Sequence, residues 1–87
     1  MKWYRFKNDI NFASTDEGVY LLGNYAQVVI YVGRTDNLRD RLEEHPDPDN
    51  PCLQGVGVSY FAFERTFDSK NREQEFIEYY DPECNRT

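Results

Sequence analysis

Residues 18–33 run Gly18-Val19-Tyr20-Leu21-Leu22-Gly23-Asn24-Tyr25-Ala26-Gln27-Val28-Val29-Ile30-Tyr31-Val32-Gly33, two apolar segments joined by a short polar one. The first segment, 18–23, ends at Gly23-Asn24, a dipeptide that turns the chain. The second, 27–33, is dominated by β-branched residues that suit a pleated surface. A gap this short predicts an antiparallel hairpin. Neither segment alternates polar with apolar side chains, so both faces of the sheet are expected to be covered.

Upstream, Trp3, Tyr4, Phe6, Ile10 and Phe12 show no regular period, and residues 1–16 read as an extended lead-in that covers part of the core. Downstream, Thr35-Asp36-Asn37 offers helix-capping side chains, and the spacing predicts a helix over 38–45. Pro46, Pro48 and Pro51 then end the helix and define a rigid polar loop. Residues 56–64 read as a third strand. Ser69 is expected to cap a last helix that runs to about Tyr80 and stops before Pro82. The order β-β-α-β-α predicts one small α/β domain over residues 1–87, with a three-stranded sheet.

The composition agrees with a single soluble domain. The chain has 87 residues, 39% of them hydrophobic, with seven Tyr, six Phe and one Trp to build a core. No apolar run approaches the roughly 18 residues that span a membrane. The opening Met1-Lys2-Trp3-Tyr4-Arg5-Phe6-Lys7 has charge without the apolar stretch of a secretion signal, so a cytoplasmic protein is expected. Cys52 and Cys84 are too few for a disulfide framework or a zinc site. Reduced thiols are the expectation, with a single bridge as the alternative. Sixteen Asp and Glu against ten Lys and Arg give a net charge of −6, which argues against indiscriminate nucleic-acid binding through a basic surface. The surplus of acid over lysine suits either a high-salt environment or ordinary solubility.

The informative residues break the amphipathic pattern. In the first helix Leu38 and Leu42 mark the buried stripe, and Arg41 and His45 stand beside it. In the last, Glu73 opens the stripe continued by Phe76, Ile77 and Tyr80. Each helix thus aims an ionisable group at the sheet, where it must be paired, hydrogen-bonded or metal-bound. The structural alternative is an Arg41–Glu73 ion pair.

These residues resemble the signature of the GIY-YIG nuclease superfamily. Gly18-Val19-Tyr20 and Tyr31-Val32-Gly33 are similar to its paired tripeptides. Arg34, Asn37-Leu38, Arg41 and His45 resemble its second motif, and Glu73, Phe76-Ile77, Tyr80, Pro82 and Asn85 its closing one. The match covers 18–85. The resemblance implies a three-stranded antiparallel sheet flanked by helices and a metal-dependent DNA endonuclease using one divalent ion, Mg²⁺ or Mn²⁺. It implies that Tyr20 and Tyr31 position or activate water, that Arg41 stabilises phosphate charge, and that His45 handles a proton or hydrogen bond beside it. Glu73 would be the single protein ligand of the metal, Arg34 would touch a phosphate, and Asn85 would brace the substrate site. With no residues left over for a separate DNA-binding region, weak DNA binding, or help from a homodimer or protein partner, is expected. A non-catalytic nucleic-acid- or protein-binding module is the alternative.

Overall fold

The computed structural model describes residues 1–44 and 50–86. Its sheet has four strands, not three: β1 (Tyr4–Arg5), β2 (Gly18–Gly23), β3 (Val29–Thr35) and β4 (Tyr60–Arg65), in the order β1-β4-β2-β3 with every pair antiparallel. Helices α1 (Leu38–Glu43), α2 (Pro51–Val56) and α3 (Ser69–Tyr80) flank it, with 3-10 turns at Ile10–Phe12 and Glu83–Asn85. Among the described residues no helix is long and apolar enough to cross a membrane.

The extra strand lies in the expected lead-in. Tyr4 pairs with Phe61, and its ring stacks at 5.3 Å on Phe61, 5.6 Å on Phe12 and 5.7 Å on Phe63. Aromatic contact across the sheet thus fixes two residues whose own sequence carries no strand pattern.

All six residues of β2 are buried. Val19 and Leu21 join Val29, Val32, Ala62 and Phe76 in a cluster on the α3 face. Tyr20 and Leu22 join Phe6, Leu38, Leu42, Leu53 and Phe61 on the other. Each buried leucine there contributes about 1.5–3 kcal/mol. Strand β3 begins and ends two residues later than the sequence predicts. Its register jumps from Tyr31 opposite Leu22 to Val29 opposite Gly23, which leaves Ile30 as the bulged residue.

Asn37 caps α1 by accepting the Asp40 N–H at 3.1 Å, and the Leu38 and Arg39 N–H groups donate to the carbonyls of Asp16 and Ser14. Arg39 spends its side chain on the Ala13 and Asn11 carbonyls, both at 3.1 Å, tying α1 to the N-terminal segment.

Helix α2 replaces part of the expected polar loop. Asn50 accepts the Leu53 N–H at 3.3 Å and Pro51 occupies the first turn, where its missing N–H costs nothing. The helix therefore starts at the proline that was expected to prolong the loop. It ends at Gly57, whose φ of 86° suits glycine, and β4 begins at Tyr60 rather than at 56. The Pro46 and Pro48 part of the loop lies outside the described residues. Ser69 is the first residue of α3 rather than its cap, and its hydroxyl donates to Glu17 at 2.8 Å. Arg72 clamps α3 to β4 through a two-pronged pair with Glu64 at 2.6 and 3.2 Å, its guanidinium lying 4.3 Å from the Phe76 ring centre.

The cysteines are bonded, correcting the expectation of free thiols. Cys52 in α2 and Cys84 in the terminal turn form a disulfide with their Cα atoms 5.5 Å apart.

Candidate active site

The site gathers at β3, the strand at one edge of the sheet. Gly33 lies opposite Tyr20, and a Cβ at position 33 would overlap the Tyr20 hydroxyl and ring. The glycine therefore makes room for the tyrosine to lie across the edge strand. Tyr20 is 1% exposed. The Tyr31 ring is 6.2 Å away, half-buried, and on the same face of the sheet because Tyr31 lies two residues from Gly33, which is opposite Tyr20.

Arg41 reaches this pair from α1 and donates a hydrogen bond to the Tyr20 hydroxyl. Its position three residues after Leu38 sets it beside the buried stripe, and its Nη1 also meets Glu44 Oε2 at 2.8 Å. Burial pushes the Tyr20 phenol well above its ordinary acidity range, and Tyr31 adds to the shift. The charge and hydrogen bond of Arg41 oppose it, and the Glu73 carboxylate adds a smaller upward push. Tyr20 is consequently a neutral phenol at ordinary pH. Its oxygen accepts from Arg41.

Glu73 stands on α3 one turn before Phe76, and its field is felt at Tyr20. Its carboxylate lies 3.6 Å from Arg34 Nε on β3. The glutamate side chain is 25% exposed and the arginine 49%, so both face the wetter side of the edge strand. Arg34 thus holds a carboxylate while staying half open to solvent.

Asn85 serves the strand itself. The Val32 N–H donates to Asn85 Oδ1 at 2.8 Å, and Asn85 Nδ2 donates back to the Val32 carbonyl at 2.8 Å. Its neighbour Cys84 anchors the turn covalently. His45 lies outside the described residues. Tyr20, Tyr31 and Arg41 therefore come together, with Glu73 and Arg34 as a second pair nearby and Asn85 fixing the strand between. The role of Gly33, named in the sequence only as the end of its tripeptide, is the space it leaves, and Glu44 escaped the sequence reading. Glu44 pairs with Arg41 at a helical spacing of three that could have revealed it.

Among the described residues no group of three or more His, Cys, Asp or Glu side chains could hold a metal ion. Among the described residues, Glu73, Tyr20 and Tyr31 offer the site a carboxylate and phenolic oxygens, all hard. Such a set does not fit zinc, but it fits a magnesium-like cation that keeps most of its waters and needs one carboxylate.

No protein-family profile and no curated protein sequence matches the chain. Solved structures do. The GIY-YIG N-terminal endonuclease domain of UvrC from Thermotoga maritima, bound to its catalytic divalent cation, magnesium, matches with a TM-score of 0.76 and 23% identity, over 93% of this chain and 96% of that one. A tyrosine-to-phenylalanine variant of that domain gives 0.75 and 22% over 93% and 96%. An asparagine-to-alanine variant gives 0.76 and 22% over 94% and 96%, and both variants also hold the cation. With an antiparallel sheet whose edge strand carries Tyr31-Val32-Gly33 against Gly18-Val19-Tyr20, the chain has the GIY-YIG fold.

Proposed function

We propose that the protein is an endonuclease that hydrolyses DNA phosphodiester bonds with the help of one divalent cation, Mg²⁺ or Mn²⁺, at Glu73. The observation that carries this reading is the convergence on one edge strand of a guanidinium, two tyrosines and a partly exposed carboxylate, in a fold that in the UvrC domain holds a catalytic cation. When bound, the cation supplies positive charge to the phosphate and makes its water more acidic.

The chain's own residues do the rest. Arg41 is held against Tyr20 and Glu44, so its orientation is set before substrate arrives, and its charge meets that developing on the phosphate oxygens. Tyr20, kept neutral, holds the attacking water or a phosphate oxygen by hydrogen bonding and keeps its proton. Tyr31, half-buried, positions the water. Arg34, released from or shared with Glu73, contacts a flanking phosphate, and His45 and Asn85 belong to the same reading as proton handler and brace. The reading carries a cytoplasmic location, where DNA is within reach. It also carries a second chain, as a homodimer or another partner, to supply the grip on duplex that a net charge of −6 withholds.

Incubation of the purified protein with supercoiled plasmid and with branched and single-stranded oligonucleotides, in Mg²⁺, Mn²⁺ or EDTA, tests the proposal. Cation-dependent cleavage that Arg41→Ala and Glu73→Gln both abolish is expected. Absence of cleavage on every substrate by a folded, cation-loaded protein would overturn it. That outcome would favour a non-catalytic nucleic-acid- or protein-binding module, a reading to which the near-complete burial of Tyr20 lends support.

A further inference from the structure

The positive charge of this acidic protein is unevenly spread. Residues 1–7 contain Lys2, Arg5 and Lys7 and no Asp or Glu, although the chain has sixteen acids against ten bases. Aromatics separate the cations. Strand β1 and the turn after it send Tyr4 and Phe6 into the core and leave Lys2, Arg5 and Lys7 exposed. The chain bends sharply here, with Lys7 at a φ of 73°, a conformation that a non-glycine residue adopts at a cost and that turns up at binding sites.

Arg5 and Lys7 form one wall of a groove of about 420 Å³, and Tyr25, Ser59 and Tyr60 line it with them. Among the described residues no carboxylate lines it. Asp9 approaches Arg5 at 3.7 Å, and among the described residues Lys7 makes no ion pair. Tyr25, on the turn between β2 and β3, is 84% exposed and leaves its ring open to solvent. Tyr60 opens β4, with Trp3 edge-on to it at 6.5 Å. The groove lies at the hairpin end of the sheet, where β1, the start of β4 and the turn between β2 and β3 meet.

We propose that this groove between Arg5 and Lys7 on one side and Tyr25 and Tyr60 on the other docks single-stranded nucleic acid. Unpaired bases stack on the tyrosines, and the two cations meet the phosphates. Stacking is available to any base but only where the base is unpaired, so the combination selects single strands over duplex. An acidic peptide would satisfy the cations and leave the rings unused. The groove extends the nuclease reading to a second contact, from which its ligand class is drawn, and binding measured without divalent cation separates the two.

The test is fluorescence anisotropy of a labelled mixed-sequence 20-mer in EDTA at low salt, on the full chain and on variants whose folding is checked by circular dichroism. Single strand should bind more tightly than the same sequence as duplex, and affinity should fall as salt rises. Tyr25→Ala should weaken binding roughly 5- to 100-fold, the range for loss of one stacked base. Lys7→Glu should weaken it by about tenfold or more, and Lys70→Ala, an exposed cation on α3, should leave it within about twofold. Equal binding of duplex, equal competition by polyglutamate, an unchanged affinity in Tyr25→Ala, or no binding of the oligonucleotide would each overturn the proposal. Loss of cleavage alone would not bear on it.

Discussion

The Tyr20 ring occupies the space that a side chain at position 33 would fill, so Gly33 and Tyr20 form one packing unit across β2 and β3. The glycine in the second tripeptide is thereby required by the tyrosine in the first. Gly33→Ala should push the ring off its seat, costing about 1–3 kcal/mol as an overpacked core does, and should move the hydroxyl away from Arg41. Urea unfolding should show the destabilisation, and cleavage by the folded fraction should fall more than tenfold. Unchanged stability would mean that the ring has another place to go.

Tyr20→Phe separates ring from hydroxyl. The ring keeps its packing, while Arg41 loses an acceptor in a buried setting, so stability should fall by about 1–2 kcal/mol. The pH dependence has a definite sign. The folded phenol holds its proton more tightly than the unfolded chain, whose tyrosine titrates near pH ~10. Tyr20's contribution is therefore fully present below that pH and is lost as pH climbs from there toward the raised folded value. Melting temperatures from pH 8 to 11 should fall more steeply for wild type than for Tyr20→Phe. Parallel curves would show the phenol to be unperturbed.

Glu73→Gln removes the charge proposed to hold the cation. Its partner Arg34 is half exposed, so losing the pair should change stability by no more than about 1 kcal/mol. Addition of Mg²⁺ should raise the melting temperature of wild type and of the exposed control Glu78→Gln, but not of Glu73→Gln. A Mg²⁺ response that survives in Glu73→Gln would remove that residue from cation binding.

Reduction of the Cys52–Cys84 bond should loosen the molecule. The bridge closes a 32-residue separation, for which chain entropy predicts roughly 3–4 kcal/mol. In a domain of this size that is a fall of about 12–30 °C in melting temperature. Melts with and without a phosphine reductant, and of Cys52→Ser, check it. Coincident curves would show the bond to be dispensable.

The parts of the fold legible in sequence are those with local punctuation. Gly18 and Gly23 bound β2, and the Phe76-Ile77 stripe followed by Pro82 locates α3. Strand β1 was illegible because its cause is remote: Tyr4 becomes a strand residue through Phe61 and Phe63, nearly sixty residues away. Asn50-Pro51 carried a helix start that the neighbouring prolines concealed. The bridge became visible only when α2 and the last turn had brought Cys52 and Cys84 together. At the site, periodicity put Arg41 and Glu73 on inward faces. It could not reveal that Arg34, on a strand, lies 3.6 Å from Glu73, because helix spacing says nothing about a neighbouring strand.

Asn85 gives the molecule a guarded border. An edge strand offers unpaired N–H and C=O groups to any passing chain, and β3 is such an edge. By occupying both polar groups of Val32, the Asn85 amide imitates one residue of an additional strand and closes the middle of that edge to sheet extension. The guard is held in position by the covalent tie at Cys84. Removing residues 81–87 would therefore do more than shorten the protein. It would expose a ready template for self-pairing, and the truncated chain would meet its copies strand to strand and assemble into aggregates.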